Sequence, residues 1–134
     1  MTLQPIRSIV VGTDFSPPAA TALGWASAIA RAHGASLTLV HAYVKQDHEL
    51  SPEETRAALA GLAAVETEHG LQVRVEMRDG AAAAVVSAVA KECGADLLVI
   101  GSRGRNPISR VFLGSVADAT LKQVSLPTLV VHPG

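Results

Sequence analysis

Gly101 and Gly104 follow directly on the apolar run Leu97 to Ile100, and nine residues separate Gly104 from Gly114-Ser115. Glycine lets the backbone approach a phosphate closely and turn successive N–H groups toward it. A helix opening near Ser115 would add the partial positive charge of its N-terminus, and the hydroxyl could supply a further hydrogen bond. Arg103, Arg105 and Arg110 lie in the same segment and would offset phosphate charge. Two glycines alone would do no more than shape a long turn. Three glycines, a serine and three arginines together point to phosphate binding.

A second candidate, Asp14, leaves the first apolar run at Gly12-Thr13-Asp14. It could accept from ribose hydroxyls or hold a divalent cation through water, or it could only cap the turn before the next helix, as Asp often does. The histidines offer less. His33 and His69 precede helix-ending glycines, where a cation is favourable. His41 ends an apolar strand, as a half-buried and hydrogen-bonded residue would. No two histidines have metal-site spacing, and no Gly-x-Ser-x-Gly nucleophile elbow is present. Cys93, between Glu92 and Gly94, reads as a packing residue, because no basic cluster surrounds it.

The elements that must position these residues alternate along the chain. Ile6 to Gly12 is a strand rich in β-branched residues. Ser16 caps a helix opened by Pro17 and Pro18, with Ala19, Leu23, Ala26 and Ala30 on one face and Gly34 at its end. Ser36 to Val44 is a second strand. Ser51-Pro52-Glu53-Glu54 is a capping box, and its helix carries Leu59, Leu62 and Val65 before stopping at Gly70. Leu71 to Met77 alternates as a half-exposed edge strand does. Residues 81 to 93 form an Ala- and Val-rich helix, Asp96 to Ile100 an apolar strand, and a last helix starts near Ser115. Pro127 to His132 closes the chain as a fifth strand.

Ala30–Leu37 and Ala90–Leu97 match at Ala, Gly, Ala and Leu. Both are read as helix-to-strand turns under one packing constraint, not as a duplicated binding half. The match sets His41-Ala42 and Gly101-Ser102 at the same, carboxyl, end of their strands. Five strands separated by four helices predict an α/β fold: a doubly wound, Rossmann-like parallel sheet with helices on both faces. In the common order 3-2-1-4-5 the winding reverses between strands 1 and 4, and ligands bind at such a point.

Composition agrees with a packed core and narrows the partners. The chain has 134 residues, 49% apolar and 17% charged, with a formal net charge of −1. That length predicts a single domain over 1–134. Without a basic run, nucleic acid is not the expected partner. No stretch approaches the roughly 18 apolar residues of a membrane span, and no signal-peptide core opens the chain, so a cytoplasmic protein away from the membrane is expected.

Gly-x-x-Gly, nine residues, then Gly-Ser resembles the pattern of the ATP-binding branch of the universal stress proteins, with Gly101, Gly104, Gly114 and Ser115 filling it. The resemblance extends to Ile9-Val10-Val11-Gly12-Thr13-Asp14-Phe15-Ser16, Leu39-Val40-His41-Ala42, the segment 97–105 and Leu126-Pro127-Thr128-Leu129-Val130-Val131. It implies ATP, or another adenine nucleotide, with Mg or Mn carried by its phosphates. Thr13 and Asp14 would meet the ribose and adenine side, and Ala42 would line the adenine slot through its backbone. Ile100 and Gly101 would pack under the sugar and α-phosphate. Arg103, Gly104, Gly114, Ser115 and Val116 would hold the phosphates, Arg103 standing where the family often has histidine. The family's two-fold pairing through the closing strand implies a homodimer through Thr128 to His132, an edge that is apolar on both faces.

The expected role is a nucleotide-responsive stress or signalling module whose protein partner the sequence does not name. A slow ATPase is the alternative. Water attack on a phosphate needs an orienting group, and between residues 101 and 116 there is no Asp, Glu, Gln or His, with Asn106 the only amide. A phosphorylation-receiver domain would need clustered carboxylates and a lysine after the last strand, where His132 stands. Adenylate-forming enzymes of similar sheet order carry His-x-Gly-His or Ser-Gly-Gly-x-Asp-Ser, and neither occurs.

Overall fold

The computed structural model describes residues 5–45, 49–103 and 113–132. Nine elements alternate: β1 (Ser8–Gly12), α1 (Pro17–His33), β2 (Ser36–Tyr43), α2 (Pro52–Glu68), β3 (Val73–Asp79), α3 (Ala82–Glu92), β4 (Leu97–Gly101), α4 (Ser115–Gln123) and β5 (Thr128–Val131). The strands form one parallel sheet in the order β3-β2-β1-β4-β5. This is the predicted order.

Helix starts follow the caps written in the sequence. The Ser16 side chain accepts from the Ala19 N–H, and Gly34 ends α1 at φ 67°, a conformation that costs a glycine little. Ser51 and Glu54 bond each other's backbone N–H reciprocally at the start of α2.

Two apolar layers cover the sheet. Ile9, Val11, Leu37 and Leu39 face α1 and α2, packing with Ala22, Ala26, Ala30 and Leu59. Val10, Val40, Leu98 and Ile100 face α3 and α4, packing with Val85, Val86, Val89 and Ala117. Alternation along each strand sends neighbouring side chains to opposite layers. At the amino end of the sheet, Asp96 Oδ2 accepts from the Arg7 and Ser8 N–H groups at 2.8 and 3.0 Å. This clamp fixes β4 against β1 at the end opposite the candidate site.

Two expectations shift. Val65 is 50% exposed, whereas Glu66 is buried, as Leu59 is. Seven residues of helix return to about the same face and six fall roughly 120° short, so position 66, not 65, stands over Leu59. Strand β3 also runs later than its apolar alternation suggested, because its pairing with β2 carries on to Tyr43↔Asp79.

Candidate functional site at the carboxyl edge of the sheet

Strand register decides which sequence-distant residues meet. Val11 pairs with Val99, so Gly12-Thr13-Asp14 and Ile100-Gly101-Ser102 leave the sheet at the same level. These two strands are neighbours, and the chain leaves them through α1 and α4, which pack on opposite faces of the sheet. The predicted switch point is therefore present.

The β1 turn is held by its own side chains. The Thr13 N–H donates to the Val40 carbonyl at 2.8 Å, extending the ladder one residue past the strand. Thr13 Oγ1 accepts from the Phe15 N–H at 3.1 Å. Asp14 Oδ1 accepts from the Ser16 N–H at 3.0 Å and from the Ser16 hydroxyl, which in turn caps α1. The capping role weighed for Asp14 is thus real, and it occupies one carboxylate oxygen. Among the described residues, Oδ2 has no hydrogen-bond partner.

Phe15, between them, has φ 64°. For a side chain with a Cβ this left-handed conformation costs about 1–3 kcal/mol and persists only where surrounding contacts hold it. Part of that hold comes from β2. His41 is 4% exposed, its Nδ1 lies 2.8 Å from the Thr13 carbonyl, and its ring stands 4.8 Å from the Phe15 ring, tilted 49°. A carbonyl can only accept, so Nδ1 carries the proton. The expectation of a hydrogen-bonded histidine holds, with the β1 turn as partner, and the residue is buried where half-burial was expected.

On the β4 side, Gly101 has an internal reason to be glycine. A Cβ there would come 3.1 Å from the Arg103 carbonyl oxygen and 3.4 Å from that of Pro18. Ile100 is buried in the layer facing α3 and α4, and Arg103 is half-buried. Ser102, which the sequence did not single out, is 1% exposed, and its Oγ has no partner among the described residues. Its backbone ties the site to α4, since the Gly114 N–H donates to the Ser102 carbonyl at 2.7 Å. Gly114 is the N-cap of α4 at φ −65°, and no side chain caps that helix. The first turn of a helix leaves N–H groups without intrahelical partners. Here they belong to Ser115, Val116 and Ala117, with Ser115 and Val116 exposed.

Ala42 is half-buried at the end of β2, beside the β1 turn. Gly104, Arg105 and Arg110 lie outside the described residues. Among the described residues no group of three His, Cys, Asp or Glu side chains could hold a metal ion, and no helix is long and apolar enough to cross a membrane. A cleft of about 740 Å³ opens at the carboxyl ends of β2 and β3, lined by Tyr43, Lys45, Arg56, Met77, Asp79 and Ala81 among others. None of the predicted site residues lines it.

Sheet order and register define a doubly wound α/β protein in which the β1 and β4 turns meet at the switch point. The chain belongs to the universal stress protein family, whose model matches residues 5–132. It is 31% identical, over 92% of its length, to a universal stress protein of Mycolicibacterium smegmatis, and it spans 47% of that relative. It spans about half of a second relative too, 49% of universal stress protein MJ0531 of Methanocaldococcus jannaschii, at 36% identity over 62% of this chain. A universal stress protein solved in complex with cAMP superposes with a TM-score of 0.79 at 29% identity, covering 98% of this chain and all of that one (100%). The structure of the hypothetical protein MJ0577 superposes with a TM-score of 0.88 at 23% identity, covering 98% and 99% of the two chains, and bears on the fold.

Two glycine substitutions separate packing from helix propensity. Gly101→Ala is expected to destabilise the fold by about 1–3 kcal/mol, because its Cβ would sit 3.1 Å from the Arg103 carbonyl oxygen and the backbone there would have to shift. Gly24→Ala, in α1 with open space around it, is expected to stabilise by up to about 1 kcal/mol. Denaturant unfolding of both variants checks the contrast.

Proposed function

We propose that this chain is a nucleotide-responsive binding module, a single cytoplasmic domain that takes ATP or another adenine nucleotide at the β1/β4 switch point. The observation that carries the reading is the convergence of the Thr13-Asp14 turn, the Gly101–Arg103 turn and the uncapped start of α4. The first-turn N–H groups of Ser115 and Val116, both exposed residues, would meet phosphate oxygens, aided by the helix dipole. Gly114 would allow the close approach, and Arg103 and Gly104 would close over the phosphates. The free oxygen of Asp14 would accept from a ribose hydroxyl. Ala42 would border the base through its backbone, with Ile100 and Gly101 beneath the sugar. Mg or Mn would travel with the phosphates. The cAMP complex of a relative at 29% identity supports adenine-nucleotide chemistry at this fold.

The same reading includes a homodimer through Thr128 to His132. The two sheet edges differ in a way that supports it. On β3, Arg74, Glu76 and Arg78 form a chain of ion pairs that ends on Glu92 of α3. The bidentate Arg78 contact, at 2.7 and 2.9 Å, holds the Glu92 carboxyl below the usual carboxylate range. Charge of that kind discourages strand addition. Strand β5 presents Leu129 and Val130 half-buried, and exposed Val116 and Leu121 lie on the neighbouring α4.

Thermal unfolding with millimolar ATP and magnesium tests the binding. At a hundred times the dissociation constant, ligand should stabilise the fold by about 2.7 kcal/mol. Gly114→Val should abolish that gain and leave the ligand-free melt in place, and an unshifted wild-type melt overturns the reading. For the assembly, light scattering should give a dimer that Val130→Pro converts to monomer, since proline removes a backbone donor from the pairing edge. A monomeric wild type refutes the interface.

A further inference from the structure

We infer that His41, which lies behind the site and outside any ligand contact assigned above, is a positioning residue that holds the β1 turn in its binding conformation. The inference rests on the nucleotide-binding reading for its functional consequence, but its structural half stands separately.

Two hydrogen bonds converge on Thr13, one at each side of the residue, and a ring contact follows at Phe15. The Thr13 N–H is fixed by Val40, the residue before His41, at 2.8 Å. The Thr13 carbonyl is fixed by His41 Nδ1, also at 2.8 Å. With both ends bonded to consecutive residues of β2, this stretch cannot rotate without breaking one of them. The His41 ring then stands against Phe15, the residue whose φ of 64° would relax most readily if released. Relaxing Phe15 would swing the peptides on either side of it. One of them carries the Ser16 N–H that orients Asp14.

His41 therefore acts two steps away from a ligand. Its N–H sets Thr13, its ring keeps Phe15 left-handed, and the left-handed turn holds Asp14 Oδ1 on the start of α1 while Oδ2 remains without a partner. Burial makes the bond count. His41 is 4% exposed, and a buried donor that loses its acceptor has no water to replace it. A turn set in advance by the fold also avoids the ordering cost of forming on binding.

The conservative pair for the test is His41→Asn and His41→Gln. An asparagine amide nitrogen reaches roughly the place of Nδ1, and a glutamine nitrogen that of Nε2, with similar polarity. His41→Phe adds a variant that keeps an aromatic ring and removes the donor. Amide hydrogen exchange in the ligand-free protein is the first readout. In His41→Phe and His41→Gln the Phe15 and Ser16 amides should exchange about tenfold faster, the factor a lost hydrogen bond gives, while Val10 and Val11 keep wild-type protection. His41→Asn should stay within about threefold of wild type at all four amides.

The second readout is the dissociation constant for magnesium ATP, which should rise about tenfold in His41→Gln and His41→Phe and recover in His41→Asn. If His41→Phe does not fold, the Asn and Gln comparison decides alone. Equal exchange at Phe15 and Ser16 in Asn and Gln variants overturns the inference, as does uniform loss of protection through β1. A wild type that binds no nucleotide defeats the binding reading while leaving the exchange experiment to judge the turn.

Discussion

Burial of β1 on both faces is the constraint from which the rest of the molecule follows. Ile9, Val10 and Val11 are all fully buried at 0% exposure, which requires a helical layer on each side of the sheet. α1 and α2 supply one layer as the chain winds outward through β2 to β3. The chain must then return across β1 to cover the other face, and α3 and α4 do so on the way to β4 and β5. Reversal of winding at β1/β4 is thus a consequence of core formation. It leaves a crevice where two strands end side by side with their crossovers leaving on opposite faces.

The helix starts at this edge are finished differently. At α1, Asp14 and Ser16 satisfy the first turn from within the chain. At α4 the N-cap is Gly114, which has no side chain to offer. One helix start is closed by side chains of the chain itself, and the other has no side-chain cap. The start of α3, at Ala81, is likewise uncapped and opens on the cleft between β2 and β3. A free helix N-terminus therefore does not select the site. What favours β1/β4 is that a second turn with an available carboxylate oxygen, and the backbone link from Ser102 to Gly114, meet α4 there.

Local signals were legible in the sequence because they are local. Ser16-Pro17-Pro18, Ser51 with Glu54, and the glycine at 34 act within one helical turn and appear in the structure as read. A parallel sheet covered on both faces was legible through the apolar character of the first and fourth strands, and the edge place of β3 through its alternation, while the order itself is the common one for such sheets. Val65 misled because its apolar type was counted without its angular position. The hold of His41 on Thr13 spans 28 residues, and the left-handed Phe15 depends on that contact, so neither leaves a pattern in the chain. Ser102 could have been noticed as a polar residue directly after a buried strand. Gly101 reads from the sequence as a ligand-facing glycine, and the structure adds a packing reason in the Arg103 carbonyl, 3.1 Å from where a Cβ would stand.

Residue-resolved amide shifts during titration with magnesium ATP test the central claim most directly, because binding at the switch point and binding in the neighbouring cleft move different amides. The account predicts saturable shifts at Thr13, Asp14, Gly101, Arg103, Ser115 and Val116, with Lys45, Arg56, Asp79 and Ala81 unmoved. Shifts confined to that second group, or none at millimolar nucleotide, would contradict it.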